Sequence, residues 1–263
     1  MRRTLVVVVL VALVAALSGV AGAQSAVLKV GASTLPHAPI LEFVKPWLAE
    51  QGIELQIIEF SDYVLPNLAL GEGDIDANFF QHIPYLEDFA ANHRLNLTWT
   101  VKVFLAPIGM YSNKITSIDQ LQRGATIAIP NDVTNGGRAL VLLDRAGLIQ
   151  LREGVEGNAT VFDIVGNPLN LRILELEAPL LPRALADVDA AFINQTYALE
   201  AGFKPARDAI LLESGDSPYA NVVATRIELA GDPRIQKLGE ALTRPEVRDF
   251  ILEYFEGSLI PVF

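Results

Sequence analysis

The chain is expected to fold as an α/β protein of two similar lobes, each a mostly parallel sheet flanked by helices. One observation is a repeat. Asp74-Ile75-Asp76-Ala77-Asn78-Phe79 returns as Asp187-Val188-Asp189-Ala190-Ala191-Phe192, and Leu86 then falls on Leu199. Self-similarity is weighed before other fold assignments, because a duplicated unit fixes the whole architecture. The second observation is that strand–helix–strand order flanks both copies, which argues for parallel sheets with right-handed crossovers.

The elements follow in order. Leu28 to Ala32 reads as a strand that stops at small residues. Ala38 to Gln51 carries Ile40, Leu41, Val44, Trp47 and Leu48 at helical spacing, and Ile53 to Phe60 alternates like a strand. In the second half Ala125 to Ile129 is a strand, Gly137 to Ala146 a helix closed by Gly147, and Thr160 to Val165 another strand. The last helix is expected at Pro245 to Tyr254, packing back on the first lobe. In such sheets ligands sit beyond the carboxyl ends of the strands. Those ends are Ser33 to His37, Tyr63, Phe80 to Tyr85, Asn131 to Arg138, and Asn194 to Tyr197.

The N-terminus reads as a secretory signal. Arg2 and Arg3 precede an apolar run from Leu5 to Leu17, and Ala21-Gly22-Ala23 supplies small residues for cleavage after Ala23. The run is shorter than the roughly 20 apolar residues that a membrane span needs. Of 263 residues, the 240 after residue 23 suit one large domain or two ordinary lobes. Removing Arg2 and Arg3 leaves 18 basic against 31 acidic residues, a net charge of −13. So acidic a chain is not expected to bind nucleic acid, which needs clustered Lys and Arg. There is no cysteine, which excludes disulfides, thiolate zinc sites, cysteine nucleophiles and iron–sulfur clusters.

Pro130 to Arg138 places a polar turn and Gly136-Gly137 between a strand and a helix starting near Gly137. Arg138 would then lie in the first turn, where a cation opposes the helix dipole. That placement suggests an anionic partner, since a guanidinium fork fits a carboxylate bidentately. A surface arginine, or one paired with Asp132, explains the same spacing. Phe79-Phe80-Gln81-His82-Ile83-Pro84-Tyr85 gathers aromatics at a strand end. Phe79, matched by Phe192, is expected in the core. Phe80, His82 and Tyr85 suit either a core or a concave site for an apolar group. Asn194 and Asn221 are turn residues or ligand clamps, because a buried amide must find partners. Asp74-x-Asp76 and Asp187-x-Asp189 lack a third ligand at metal spacing, so turn chemistry is preferred and no metal or other cofactor is expected. Of three histidines, His93 lies in a polar stretch; His37 and His82 have no adjacent nucleophile and no recognisable catalytic context, so no enzyme is expected.

Five blocks in order resemble the NlpA/MetQ family, the methionine-binding proteins of bacterial ABC importers. They are Phe60 to Asn67, Asp76 to His82, Ala128 to Asp132, Thr134 to Leu140, and Asp216 to Asn221. The likeness runs over Leu28 to Phe263. It implies a two-lobed periplasmic binding protein of type II-like build that closes on its ligand, with an ABC permease and its ATPase as partners. By this resemblance Arg138 would grip the ligand carboxylate, and Asn194 and Asn221 would hold its amino and carboxylate groups. Tyr63, Phe80, His82 and Tyr85 would wall a thioether side chain. Methionine, L-methionine first, is the expected ligand; a methionine derivative, another apolar amino acid or a small peptide is the alternative, and a periplasmic enzyme on the same scaffold a lesser one. Lobe 1 is expected at 27–107 and 223–263, and lobe 2 at 108–222. The family's lipobox cysteine is replaced by Ala-Gly-Ala-Gln, so a freely diffusing monomer in the periplasm, without a lipid anchor, is expected.

Overall fold

The computed structural model describes residues 25–155 and 157–263; the expected signal segment 1–23 lies outside them. The chain runs through β1 (Ala26–Ser33), α1 (His37–Glu50), β2 (Ile53–Phe60), α2 (Leu65–Glu72), β3 (Ala77–His82), α3 (Ile83–His93) and β4 (Leu97–Leu105). It continues with β5 (Gly109–Tyr111), β6 (Thr126–Pro130), α4 (Val133–Arg145), β7 (Gln150–Leu151), β8 (Ile164–Gly166) and β9 (Arg172–Leu176). Then come α5 (Leu181–Ala184), β10 (Ala190–Ile193), α6 (Gln195–Glu200), α7 (Pro205–Asp208) and β11 (Leu211–Leu212). β12 (Ala220–Arg226), α8 (Pro233–Leu242), α9 (Pro245–Tyr254) and β13 (Ile260–Pro261) close the fold.

Two large sheets result, ordered β13-β4-β12-β3-β1-β2 and β11-β5-β10-β6-β9. The parallel core of each is the same motif. β2-β1-β3 in the first matches β9-β6-β10 in the second. Beside β3 and β10 runs an antiparallel strand, β12 or β5, which is the first to follow a crossing between the sheets. Each sheet has its own apolar core. One gathers Leu28, Ile40, Leu41, Phe79, Leu238 and Ile251; the other gathers Ile108, Ile127, Ile129, Leu140 and Phe192. Burying side chains of this size contributes roughly 1.5–3 kcal/mol each.

The aspartate repeat has a structural purpose. The backbone N–H of Asp76 donates to Lys29 O, while Lys29 N–H donates back to Asp76 Oδ2 at 2.9 Å. Asp189 N–H likewise donates to Thr126 O, and Thr126 N–H returns to Asp189 Oδ2 at 2.8 Å. In both lobes the second aspartate clamps the start of the central strand. Phe79 and Phe192 are fully buried, as expected of core residues.

Two expectations are corrected. Thr160 to Val165 is not the strand beside β6. Asp163 Oδ2 accepts from Thr160 N–H at 2.9 Å and closes a turn, and Phe162 and Val165 are 87% and 61% exposed. β8 pairs only with β7 in a small separate sheet, and the parallel partner of β6 is β9. Secondly, α4 begins at Val133 because Asp132 caps it, accepting from Asn135 N–H. Gly136 and Gly137 are therefore inside the helix. A Cβ on Gly136 would lie 2.7 Å from Pro130 O, and one on Gly137 3.0 Å from Ala159 O, so the pair permits close packing and does not mark a helix start. The returning strand β12 joins the first sheet from Ala220 onward, and Asn221 already pairs with Phe104 and His82.

Candidate functional site

The carboxyl ends of β1, β3, β6 and β10 converge on a cavity between the sheets. Tyr63, Phe80, His82, Tyr85, Arg138, Asn194 and Asn221, the seven residues expected at the site, all line it. So do His37, Asn135 and Gln195.

His82 ends β3 and caps α3. Its Nδ1 accepts from Tyr85 N–H at 3.1 Å, so the ring proton sits on Nε2, which donates to Asn135 Oδ1 at 3.0 Å across the cleft. Asn135 is oriented by its own amide, which donates to both oxygens of Asp132 at 3.0 and 3.1 Å. The same Asn135 Oδ1 also accepts from Asn194 Nδ2 at 2.7 Å. Asparagine at a helix start ordinarily caps the first turn, yet Asn194 gives α6 no side-chain cap. Its Oδ1 is buried with no hydrogen-bond partner among the described residues, and so is Gln195 Oε1. Buried acceptors of this kind are uncommon and call for a donor.

Arg138 lies in the second turn of α4, so the helix-dipole argument for an anion does not apply to it. It is only 3% exposed and is not paired with Asp132. Nε donates to Glu213 Oε1 at 2.7 Å and Nη2 to Glu213 Oε2. Nη2 also donates to Ala106 O at 2.9 Å. The guanidinium lies 4.2 Å from the ring of Tyr219, a cation–π distance. Ala106 belongs to the first crossing between the sheets; Glu213 and Tyr219 belong to the second. Glu213 N–H also donates to Ile108 O at 3.0 Å, tying the crossings together. Arg138 therefore sits where the two crossings meet, with Nη1 left without a hydrogen-bond partner among the described residues.

His37 is packed edge-on against Phe79, with ring centroids 4.6 Å apart. Its Nε2 donates to Asn221 Oδ1 at 2.9 Å, and its Nδ1 lies 2.6 Å from Ser33 Oγ, which also lies 3.0 Å from Leu35 O. Asn221 Nδ2 is thereby left as a donor at the cavity. Burial lowers the His37 pKa to about 3 against the raising effect of Asn221. Burial, then the Arg138 charge, lowers that of His82 to about 3. Both rings are neutral at pH 7 and both nitrogens of each are engaged, an arrangement for positioning amides.

The apolar end is a trio of rings. Tyr63 and Phe80 are 5.9 Å apart, Tyr63 and Tyr85 6.0 Å, and Phe80 and Tyr85 6.1 Å. Tyr85 OH donates to Tyr63 O at 2.9 Å, which holds the loop after β2 over the cavity. Burial raises the pKa of both phenols, so neither ionises near neutral pH.

A profile of the NlpA lipoprotein family matches residues 28–263. The chain belongs to the NlpA lipoprotein family. Within that family it is 43% identical over 236 residues to the D-methionine-binding lipoprotein MetQ of Salmonella typhi, covering 89% of this chain and 87% of that one. It is 45% identical over 211 residues to the Escherichia coli K12 protein of the same name, covering 80% and 78%. Its fold superposes with a TM-score of 0.87 on a nutrient-binding protein from Burkholderia cenocepacia bound to methionine, at 44% identity, covering 90% of this chain and 100% of that one. The two-lobed α/β build with its inter-lobe cleft is thus that of a periplasmic binding protein.

Sequence reasoning missed Asn135, Glu213 and Gln195. The spacing Asp132-x-x-Asn135 carried a capping signal for the first. Gln195 falls in the strand end Asn194 to Tyr197 without being singled out there, and nothing local marked Glu213; their partners are 63 and 75 positions away.

Proposed function

We propose that this NlpA-family chain is the solute-binding component of an ABC importer, and that it captures methionine and hands it to the permease. One observation carries the reading. Arg138 Nη1 and Asn221 Nδ2 supply donors for a carboxylate, two unpartnered amide oxygens suit an ammonium, and three rings wall the remaining end of one cavity. A free amino acid with an apolar tail needs that set, and a thioether is favoured against aromatic rings. The relatives named above, methionine-binding by name or by bound ligand, support the same reading. Asn194, Asn221 and Arg138 would hold the backbone groups, and Tyr63, Phe80, His82 and Tyr85 the side chain.

The lobes would be 27–107 with 220–263, and the segment between, hinged at the two crossings that Arg138 bridges. The relatives are binding proteins, and neither His37 nor His82 has a free nitrogen with which to act as a base. We also infer export to the periplasm as a monomer. The relatives are lipoproteins, but this sequence has no cysteine to carry a lipid. Calorimetric titration of protein stripped of ligand by unfolding and refolding tests the reading, with L- and D-methionine, other apolar amino acids and a methionyl dipeptide. Heat from methionine at micromolar concentration is expected. Silence with methionine and heat from another solute would overturn the ligand while leaving the class.

A further inference from the structure

Gln195 opens α6 beside Asn194, and the bonding around it dictates how its amide is oriented. Nε2 donates to Ser258 O at 2.9 Å. That carbonyl belongs to the opposite lobe, presented by a turn after α9 in which Glu256 and Gly257 take φ of 50° and 74°. The reversed amide would set one carbonyl oxygen against another. Oε1 is therefore the end left over, on a side chain 3% exposed that lines the cavity, with no hydrogen-bond partner among the described residues. Asn194 Oδ1 is in the same condition one residue earlier, because its amide nitrogen is taken by Asn135. Among the described residues Arg138 is the only Lys or Arg lining this cavity, and Glu213 and Ala106 already engage it. The missing donor is left for the ligand to supply. Two neutral amide oxygens without a carboxylate suit a protonated amine, whose N–H groups make charge-assisted bonds to them.

We propose that Gln195 determines specificity: its Oε1 joins Asn194 Oδ1 in accepting from the ligand's protonated amino group, while its Nε2 holds the Ser258 turn across the cleft. The inference rests on the amino-acid reading above and deepens it. The acceptor is placed only when the lobes are together, so recognition of the ammonium and closure are one event. Amino acids with a free amine are selected, and analogues in which that amine is absent leave the oxygens unpaired.

The test titrates wild type and Q195M, which keeps the length of the side chain and removes its amide. The ligands are L-methionine and 4-(methylthio)butanoate, the same molecule without its amino group, the latter by competition where its own heat is small. Q195M should weaken methionine by about ten- to hundredfold, as for loss of a hydrogen bond to a charged group. Because it also removes the donor to Ser258, it should weaken the desamino compound as Q195E does, but by about tenfold less than it weakens methionine. Q195E is the second variant. It keeps an acceptor and loses the donor to Ser258, so it should retain the preference for the amine while weakening both ligands; it also serves if Q195M has no cooperative melt. Equal losses for both ligands in Q195M, or none, would overturn the proposal and leave Gln195 a lobe contact. A wild-type protein that binds no amino acid would bring down the functional reading, and this inference with it.

Discussion

Arg138 meets the cavity already paired. Its Nε and Nη2 are committed to Glu213, so on the proposed reading a ligand carboxylate would be left Nη1 and the amide of Asn221. Removing one member of a buried ion pair strands the other, at about 3–5 kcal/mol. R138A should therefore lose both stability and methionine binding, and E213Q should lose stability and bind more weakly because the guanidinium fork is no longer oriented. The double variant R138A/E213Q should recover much of the stability of R138A without recovering binding. Denaturant melts with calorimetry on all four proteins check this. Binding restored in the double variant would show that Arg138 does not anchor the carboxylate. D74A, remote from the cavity, should bind as wild type.

The repeated aspartates act on whole elements. Asp76 and Asp189 each exchange two hydrogen bonds with a central strand near its start. That anchoring fixes where β1 and β6 begin and hence where their carboxyl ends point. D76A and D189A should each lower stability by about 1–2 kcal/mol, as for loss of a hydrogen bond to a carboxylate. Neither residue lines the cavity, so methionine affinity should stay within about twofold, since distant sites act independently. Thermal melts and titrations would show it, and a large affinity loss in either variant would mean the clamp also governs lobe closure. At the same scale α4 shows why a helix start is hard to place from spacing. A glycine pair reads as a break in sequence, but here it lets the helix approach Pro130 and Ala159.

Stability of the whole molecule should depend on pH through the two buried imidazoles. His37 and His82 are held to about 3 in the fold, against 6.5 for an unperturbed group. As pH falls below 6.5 the unfolded chain takes up protons that the folded chain refuses until about 3. The unfolded state then binds more protons, so this stability is full above that range and is lost on acidification through it. The loss is up to about 1.4 kcal/mol per pH unit for each ring. Asp132 acts in the opposite sense, because burial raises its pKa and favours the protonated fold as pH drops. Melting temperature should fall between about pH 6 and 4, and H82Q should flatten the slope. A wild-type slope unchanged by H82Q would mean that the ring is protonated in the fold.

Local periodicity and turn chemistry were enough to determine an α/β build, the parallel β1–β2 pair with its helix, the paired aspartate turns, the final helix and the strand ends where a ligand would sit. They did not determine the antiparallel strands β4, β5, β11, β12 and β13 that make each sheet mixed and not mostly parallel. The legible features depend on residues close together in the chain, whose spacing records which face is buried. The segment at Thr160 imitates a strand because a polar turn with exposed apolar residues copies the composition of one while lacking a buried face. The partner of Arg138, the orientation of Asn194 and the placing of Gln195 against Ser258 were decided only by tertiary structure. Each depends on which atoms from distant segments come within hydrogen-bond reach once the lobes meet, and a linear spacing carries no record of that.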